Sequence, residues 1–135
     1  MGSQDIDVSL AFWRRYFHNR IVGPIPYRIG VLSTAYDLPQ ETEHPLALVS
    51  MAYGYGIEID QYPDSASVIP APEGEQGGVI LVSLEVDPAT LKAPLPWELP
   101  YVDKNGAVRG GVMTLPSGTP IELRFSDLVE RPLNN

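Results

Sequence analysis

The sequence predicts a mainly β chain of the α+β type, with a single N-terminal helix packed on an antiparallel β-barrel or sandwich of six to seven strands. Three observations predict it. Residues Pro45 to Gln61 alternate between two faces at a strict two-residue rhythm. Asn105-Gly106 sits between two extended apolar runs, which is a strong hairpin signal. Twelve Gly and fourteen Pro punctuate the chain at the short spacing that all-β folds need.

The elements follow in chain order. Asp5 to Leu10 opens with polar and apolar residues in alternation, as a strand would. From Ser9 the rhythm changes: Leu10, Trp13, Phe17 and Ile21 fall on one helical stripe, so a helix is expected over about 9–21. Asp7 or Ser9 is placed to cap it, and Gly23-Pro24 is placed to stop it. Phe12 and Tyr16 lie off the stripe, beside Arg15 and Asn19, and need either a second intramolecular contact or a docked partner. Tyr27 to Tyr36 reads as a strand and residues 37–45 as a polar loop.

Within Pro45–Gln61 one face carries Ala47, Val49, Met51, Tyr53, Tyr55, Ile57 and Ile59. A straight strand of this length would run roughly 50 Å, too long for a small domain, so a bend or break is expected at Gly54 and Gly56. Residues 62–78 read as a long loop containing the apolar step Val68-Ile69, with the makings of a lid. Val79 to Val86 is nearly continuously apolar and reads as a central strand covered on both faces. Asp87-Pro-Ala-Thr fits one helical turn, and Pro94, Pro96 and Pro100 keep the chain around Trp97 extended. A two-residue turn at Asn105-Gly106 would set Lys104 opposite Ala107, Val102 opposite Arg109 and Tyr101 opposite Gly110, with the Tyr101 ring over the Gly110-Gly111 backbone. Pro116 to Thr119 makes a second turn, and Ile121, Leu123 and Phe125 mark a last strand. No repeat or linker divides the chain, so residues 1–135 are expected to form one domain, β-rich over 25–131.

Composition narrows the chemistry. The chain has 135 residues, is 44% apolar, carries a net charge of −8 and contains no Cys. Disulfides, thiolate metal sites and a Cys nucleophile are therefore excluded. No apolar run approaches a membrane span, and no secretory leader is visible, so a cytoplasmic location is expected. Residues 1–30 hold four Arg against two Asp, whereas five basic and fifteen acidic residues follow. Such an acidic majority disfavours nucleic acid and anionic membrane and favours solubility or a basic partner.

Glu58/Asp60 and Glu85/Asp87 form two carboxylate pairs at strand ends, each pair sharing a face. Were the two strands neighbours, the four groups would suit a hard cation or an acid/base couple; solvated strand ends are the plainer explanation. His18 and His44 lack zinc-ligand spacing and read as surface or capping residues. There is no nucleophile elbow and no phosphate loop. Met51, Tyr53 and Tyr55 form an aromatic face that is core, cavity wall or binding platform.

The expectation is a small, acidic, non-catalytic interaction protein: an inhibitor, immunity-type or adaptor protein binding a protein partner of basic character. Its candidate contact residues are Met51, Tyr53, Tyr55, Glu58, Asp60, Glu85, Asp87 and Trp97. No catalytic, cofactor-binding or metal-ligating residue is assigned. Two alternatives stand beside it. One is a β-barrel that binds or converts a small apolar molecule in its interior, and the other is a structural subunit of a larger assembly that self-associates through Phe12 and Tyr16.

Overall fold

The computed structural model describes residues 1–51, 54–66 and 81–126. The chain is mainly β, with two four-stranded mixed sheets and few helices. In order it forms β1 (Gly2–Ser3), α1 (Ile6–Tyr16), β2 (Ile21–Arg28), α2 (Gly30–Ala35), β3 (Glu43–Ser50), β4 (Gly56–Gln61), β5 (Val82–Val86), a 3-10 turn (Pro88–Thr90), β6 (Leu99–Val102), β7 (Val108–Thr114) and β8 (Pro120–Phe125). One sheet has the order β1-β4-β3-β2 and the other β5-β8-β7-β6. Neither closes into a barrel, which corrects that half of the expectation. The sheets are also mixed rather than antiparallel, because β1 runs parallel to β4 and β5 parallel to β8. The described strands number eight, and a second short helix joins α1.

The amphipathic helix is present but displaced from the expected 9–21. Asp5, rather than Asp7 or Ser9, is the N-cap, and its side chain accepts the Val8 N–H. Ser9 is buried instead, with its Oγ 2.7 Å from Ser3 Oγ. The helix ends at Tyr16 because tertiary pairing takes over. Phe17 is extended and bridges to Leu91, the His18 N–H donates to the Thr90 carbonyl, and the Lys92 N–H donates to the Tyr16 carbonyl. Ile21 accordingly starts β2 rather than closing a helix. Leu10, Trp13 and Phe17 are fully buried all the same. Phe12 is buried too, with its ring 5.5 Å from Trp13 and 5.0 Å from Tyr16, so its contact is intramolecular and it is not an outward docking residue.

Gly23-Pro24 terminates no helix. It is an irregularity inside β2, a cis peptide where the pairing with β3 shifts register between Val22 and Ile25. Gly23 has φ +99°, and a Cβ there would meet the Leu46 carbonyl oxygen at 2.6 Å, so only glycine fits. The strand expected over Tyr27–Tyr36 stops at Arg28, and residues 30–35 form α2. The long alternating segment does break where its glycines suggest, into the antiparallel pair β3 and β4. Of Val79–Val86, Val79 and Ile80 lie outside the described residues. The described part, β5, is the edge of its sheet among the described residues rather than a central strand, and it alternates: Ser83 and Glu85 are exposed, while Val82 and Leu84 are half-buried and Val86 is buried.

The hairpin at Asn105-Gly106 forms with one more loop residue than the minimal turn. The Asp103 N–H donates to the Ala107 carbonyl, and the Gly106 N–H to the Asp103 carbonyl. The Asp103 carboxylate accepts from the Asn105 and Ala107 N–H groups. Val102 therefore faces Val108 rather than Arg109, while Tyr101 faces Gly110 as expected. The Tyr101 hydroxyl reaches past Gly110 to donate to Glu122 at 2.9 Å. Over Gly111 it is the Trp97 ring that lies close.

One cluster of buried side chains joins α1 (Ile6, Leu10, Phe12, Trp13), the first sheet (Ala47, Val49, Ile59) and the second (Val86, Met113, Ile121, Leu123), with Phe17, Leu95 and Leu115. Among the described residues, no helix is long and apolar enough to cross a membrane. Trp13 is the largest fully buried side chain and touches Phe12 and Phe17. Trp13→Ala is expected to cost about 3–5 kcal/mol, read as a lowered denaturant midpoint at unchanged slope; a loss below about 1 kcal/mol would contradict this packing.

Candidate functional site

The break between β3 and β4 places Met51, Gly54 and Tyr55 beyond the sheet. The Met51 N–H donates to the Tyr55 carbonyl and closes the hairpin, and Gly54, with φ +79°, makes the reversal. Met51 is held from its other side by Asn19, whose Nδ2 lies 3.2 Å from Sδ. Opposite this hairpin runs β5, the edge of the second sheet. Between them opens a cleft of about 240 Å³ lined by Met51, Tyr55, Gly56 and Ile57 on one side and by Ser83, Leu84 and Glu85 on the other.

Three residues singled out from sequence, Met51, Tyr55 and Glu85, thus meet in one cleft although thirty residues separate the last two. Tyr55 is 74% exposed. Its face of the alternating segment is core at Ala47, Val49 and Ile59 but becomes surface past the sheet end. Tyr53 lies outside the described residues, as do most of the expected lid loop and its Val68-Ile69 step. Trp97 does not line the cleft; its ring packs 6.0 Å from Phe125. Sequence reasoning missed Ser83 and Leu84, because only their position on an edge strand gives them a role.

The two carboxylate pairs do not converge, since β4 and β5 belong to different sheets. Asp87 caps the 3-10 turn, with its Oδ1 accepting from the Ala89 N–H at 2.8 Å. Among the described residues, no group of three or more His, Asp or Glu is placed to hold a metal ion. Glu58 and Asp60 share the outer face of the first sheet. Burial pushes the Asp60 carboxyl above its ordinary range and the Glu58 charge adds to the shift, while the N-terminal ammonium and His44 oppose it. The ammonium of Met1 donates to the Glu58 carbonyl at 2.6 Å.

His44 is no surface residue: it is only 3% exposed. Leu32 and Leu46 are likewise buried, yet stand apart from the main core cluster. The Tyr36 ring, just past α2, meets Tyr62 at 6.2 Å, which lays this segment over the outer face of the first sheet. Ser33 Oγ, His44 Nε2 and Asp60 Oδ1 are buried there without a hydrogen-bond partner among the described residues.

On the second sheet, Glu122 sits at the centre of a small network. Ser83 and Tyr101 both donate to its carboxylate and hold it below the ordinary carboxylate range, while the same bond raises the Tyr101 hydroxyl. No protein-family model matches this chain, and no curated protein matches it.

Two pH effects follow. The stability carried by protonated Asp60 is complete below its ordinary value of 3.8 and is lost as the pH rises through its higher folded-state value. Asp60→Asn stays neutral, so its denaturation midpoint should gain on that of the parent protein as the pH is raised from 3.8; a difference constant with pH would refute the assignment. Tyr101→Phe removes one donor and should move the Glu122 carboxyl up toward its ordinary range, as followed by carbon-13 titration of that carboxyl.

Proposed function

We propose that this chain is a small acidic interaction protein, of the inhibitor, immunity or adaptor type, that grips a protein partner at the cleft between the β3–β4 hairpin and β5. One observation carries the reading: Met51, Tyr55 and Glu85 are gathered from two sheets around an open cleft with Ile57 and Leu84 in its walls. An exposed aromatic beside apolar walls, with an acid at the margin, is the arrangement that anchors protein partners. The net charge of −8 favours a basic partner by steering its approach. Beneath the cleft we take the two sheets to be stacked as a sandwich, a view supported by the single cluster of buried residues that both contribute to. A chain without Cys suits the reducing cytoplasm, where we place it.

A photo-crosslinking residue in place of Tyr55, introduced in the native host, should capture one predominant protein, with a yield that falls as salt is raised. The same residue in place of Lys104, on the hairpin joining β6 and β7, should not. Equal capture at both positions, or none at Tyr55, would refute the reading.

A second reading, a structural subunit of a larger assembly, is favoured by a separate feature. Val22 pairs with Leu48 and Ile25 with Leu46 on the outer face of the first sheet, and Val22, Ile25, Leu48 and nearby Tyr27 are all exposed. Here a second copy of the chain is the expected occupant. Sedimentation over a concentration series should then show self-association that Leu48→Lys abolishes; a strict monomer at every concentration would eliminate it.

A further inference from the structure

We propose that the outer edge of β5 accepts an extended, basic peptide segment of the partner as an added strand. This rests on the cleft reading and says how the cleft would be filled. The two sheets have four edges, at β1, β2, β5 and β6. β1 is two residues long. β2 carries Pro24 and Pro26 and a register shift. β6 carries Pro100 and a register shift between Tyr101 and Val102. Shortness, proline and irregular pairing are the devices by which proteins prevent an edge from recruiting another strand.

β5 has none of these. Its five residues, Val82 to Val86, pair with Ile121 to Phe125 in unbroken register and contain no proline. Among the described residues no strand pairs with its other side. The outward backbone N–H and C=O groups of Ser83 and Glu85, which alternate with those bonded to β8, are thereby presented at the margin of the cleft that Met51, Tyr55 and Ile57 wall from across the gap. An extended segment laid there would hydrogen-bond to the β5 backbone and direct alternate side chains toward Leu84 and Ile57, which is strand addition with pocket specificity.

Charge decides what kind of segment. Glu85 is exposed and is the one charged side chain of β5, and the whole chain carries −8. A second copy would bring the same net charge to the contact, whereas a segment bearing Lys or Arg between its apolar residues would be attracted.

The test uses the full chain and three synthetic ten-residue peptides, in which apolar residues alternate with lysine, serine or glutamate. Binding is read by fluorescence anisotropy, and the contacted backbone by amide hydrogen exchange. The expected result is affinity in the order lysine, serine, glutamate, with exchange slowed at the outward-facing amides of Ser83 and Glu85. Glu85→Lys, an exposed substitution that leaves the core untouched, should weaken the lysine peptide by roughly three- to tenfold and reverse the order. Equal affinity for all three peptides overturns the basic character. Failure of every peptide to bind, or self-association of the chain that already protects β5, overturns strand addition. If a peptide binds and perturbs Tyr55 but leaves the β5 amides exchanging as before, strand addition falls while the cleft reading survives. The crosslink from Tyr55 judges that reading separately.

Discussion

The packing of the α1 aromatic stripe is the constraint on which the rest of the molecule depends. Trp13 and Phe17 lie 5.1 Å apart, ring to ring, and with Leu10 they are fully buried in a cluster that takes in both sheets. The helix and both four-stranded sheets contribute to that one cluster of buried side chains, so the burial that stabilises one sheet also positions the other. The backbone reinforces this at the helix end, where Phe17, His18 and Tyr16 pair with Leu91, Thr90 and Lys92 directly after β5. The edge of the second sheet is thus tied to the helix that packs on the first.

Apolar and polar surfaces are distributed unequally outside the core. On the outer face of the first sheet, α2 and Tyr36 roof the region of His44, Leu46 and Tyr62, while Val22, Leu48 and Ile25 remain open. Ser33 Oγ, His44 Nε2 and Asp60 Oδ1 are buried without a partner among the described residues, and Asp60 holds its proton more tightly than a solvated carboxyl. A face packed for stability alone would carry apolar side chains at these positions. The second sheet makes the opposite choice. Its outer face is a solvated network in which Glu122 accepts from Ser83 and Tyr101, and that network braces β5 from behind. Such bracing matters for a strand proposed to receive another, because an edge that is already ordered and regularly paired loses less entropy on binding.

Much of this was legible in the residues. The helix was visible because Leu10, Trp13 and Phe17 repeat at its period, the β3–β4 break because glycines interrupt an overlong alternation, and the final hairpins because Asn105-Gly106 and Pro116–Thr119 demand turns. These are local properties, fixed by steric and hydrogen-bonding preferences within a few neighbours. Met51, Tyr55 and Glu85 were legible as candidates for the same reason: side-chain type and alternation are written residue by residue.

Long-range pairing decided the remainder. The helix stops at Tyr16 and not at Ile21 because residues 90–92 compete for the backbone of residues 16–18. Tyr27–Tyr36 divides into strand and helix because β3 offers partners only as far as Arg28. β5 is an edge because β8 pairs with one side of it and, among the described residues, nothing pairs with the other. His44 is buried on the outer face of the first sheet, where the Tyr36 ring, distant in sequence, meets Tyr62. Periodicity states which side chains share a face, but it carries no information about what arrives to cover that face, since the covering element is chosen by contacts distant in sequence. Sequence alone therefore set the periodic segments and their apolar sides, and tertiary pairing set where the elements end and which apolar sides became core and which became cleft.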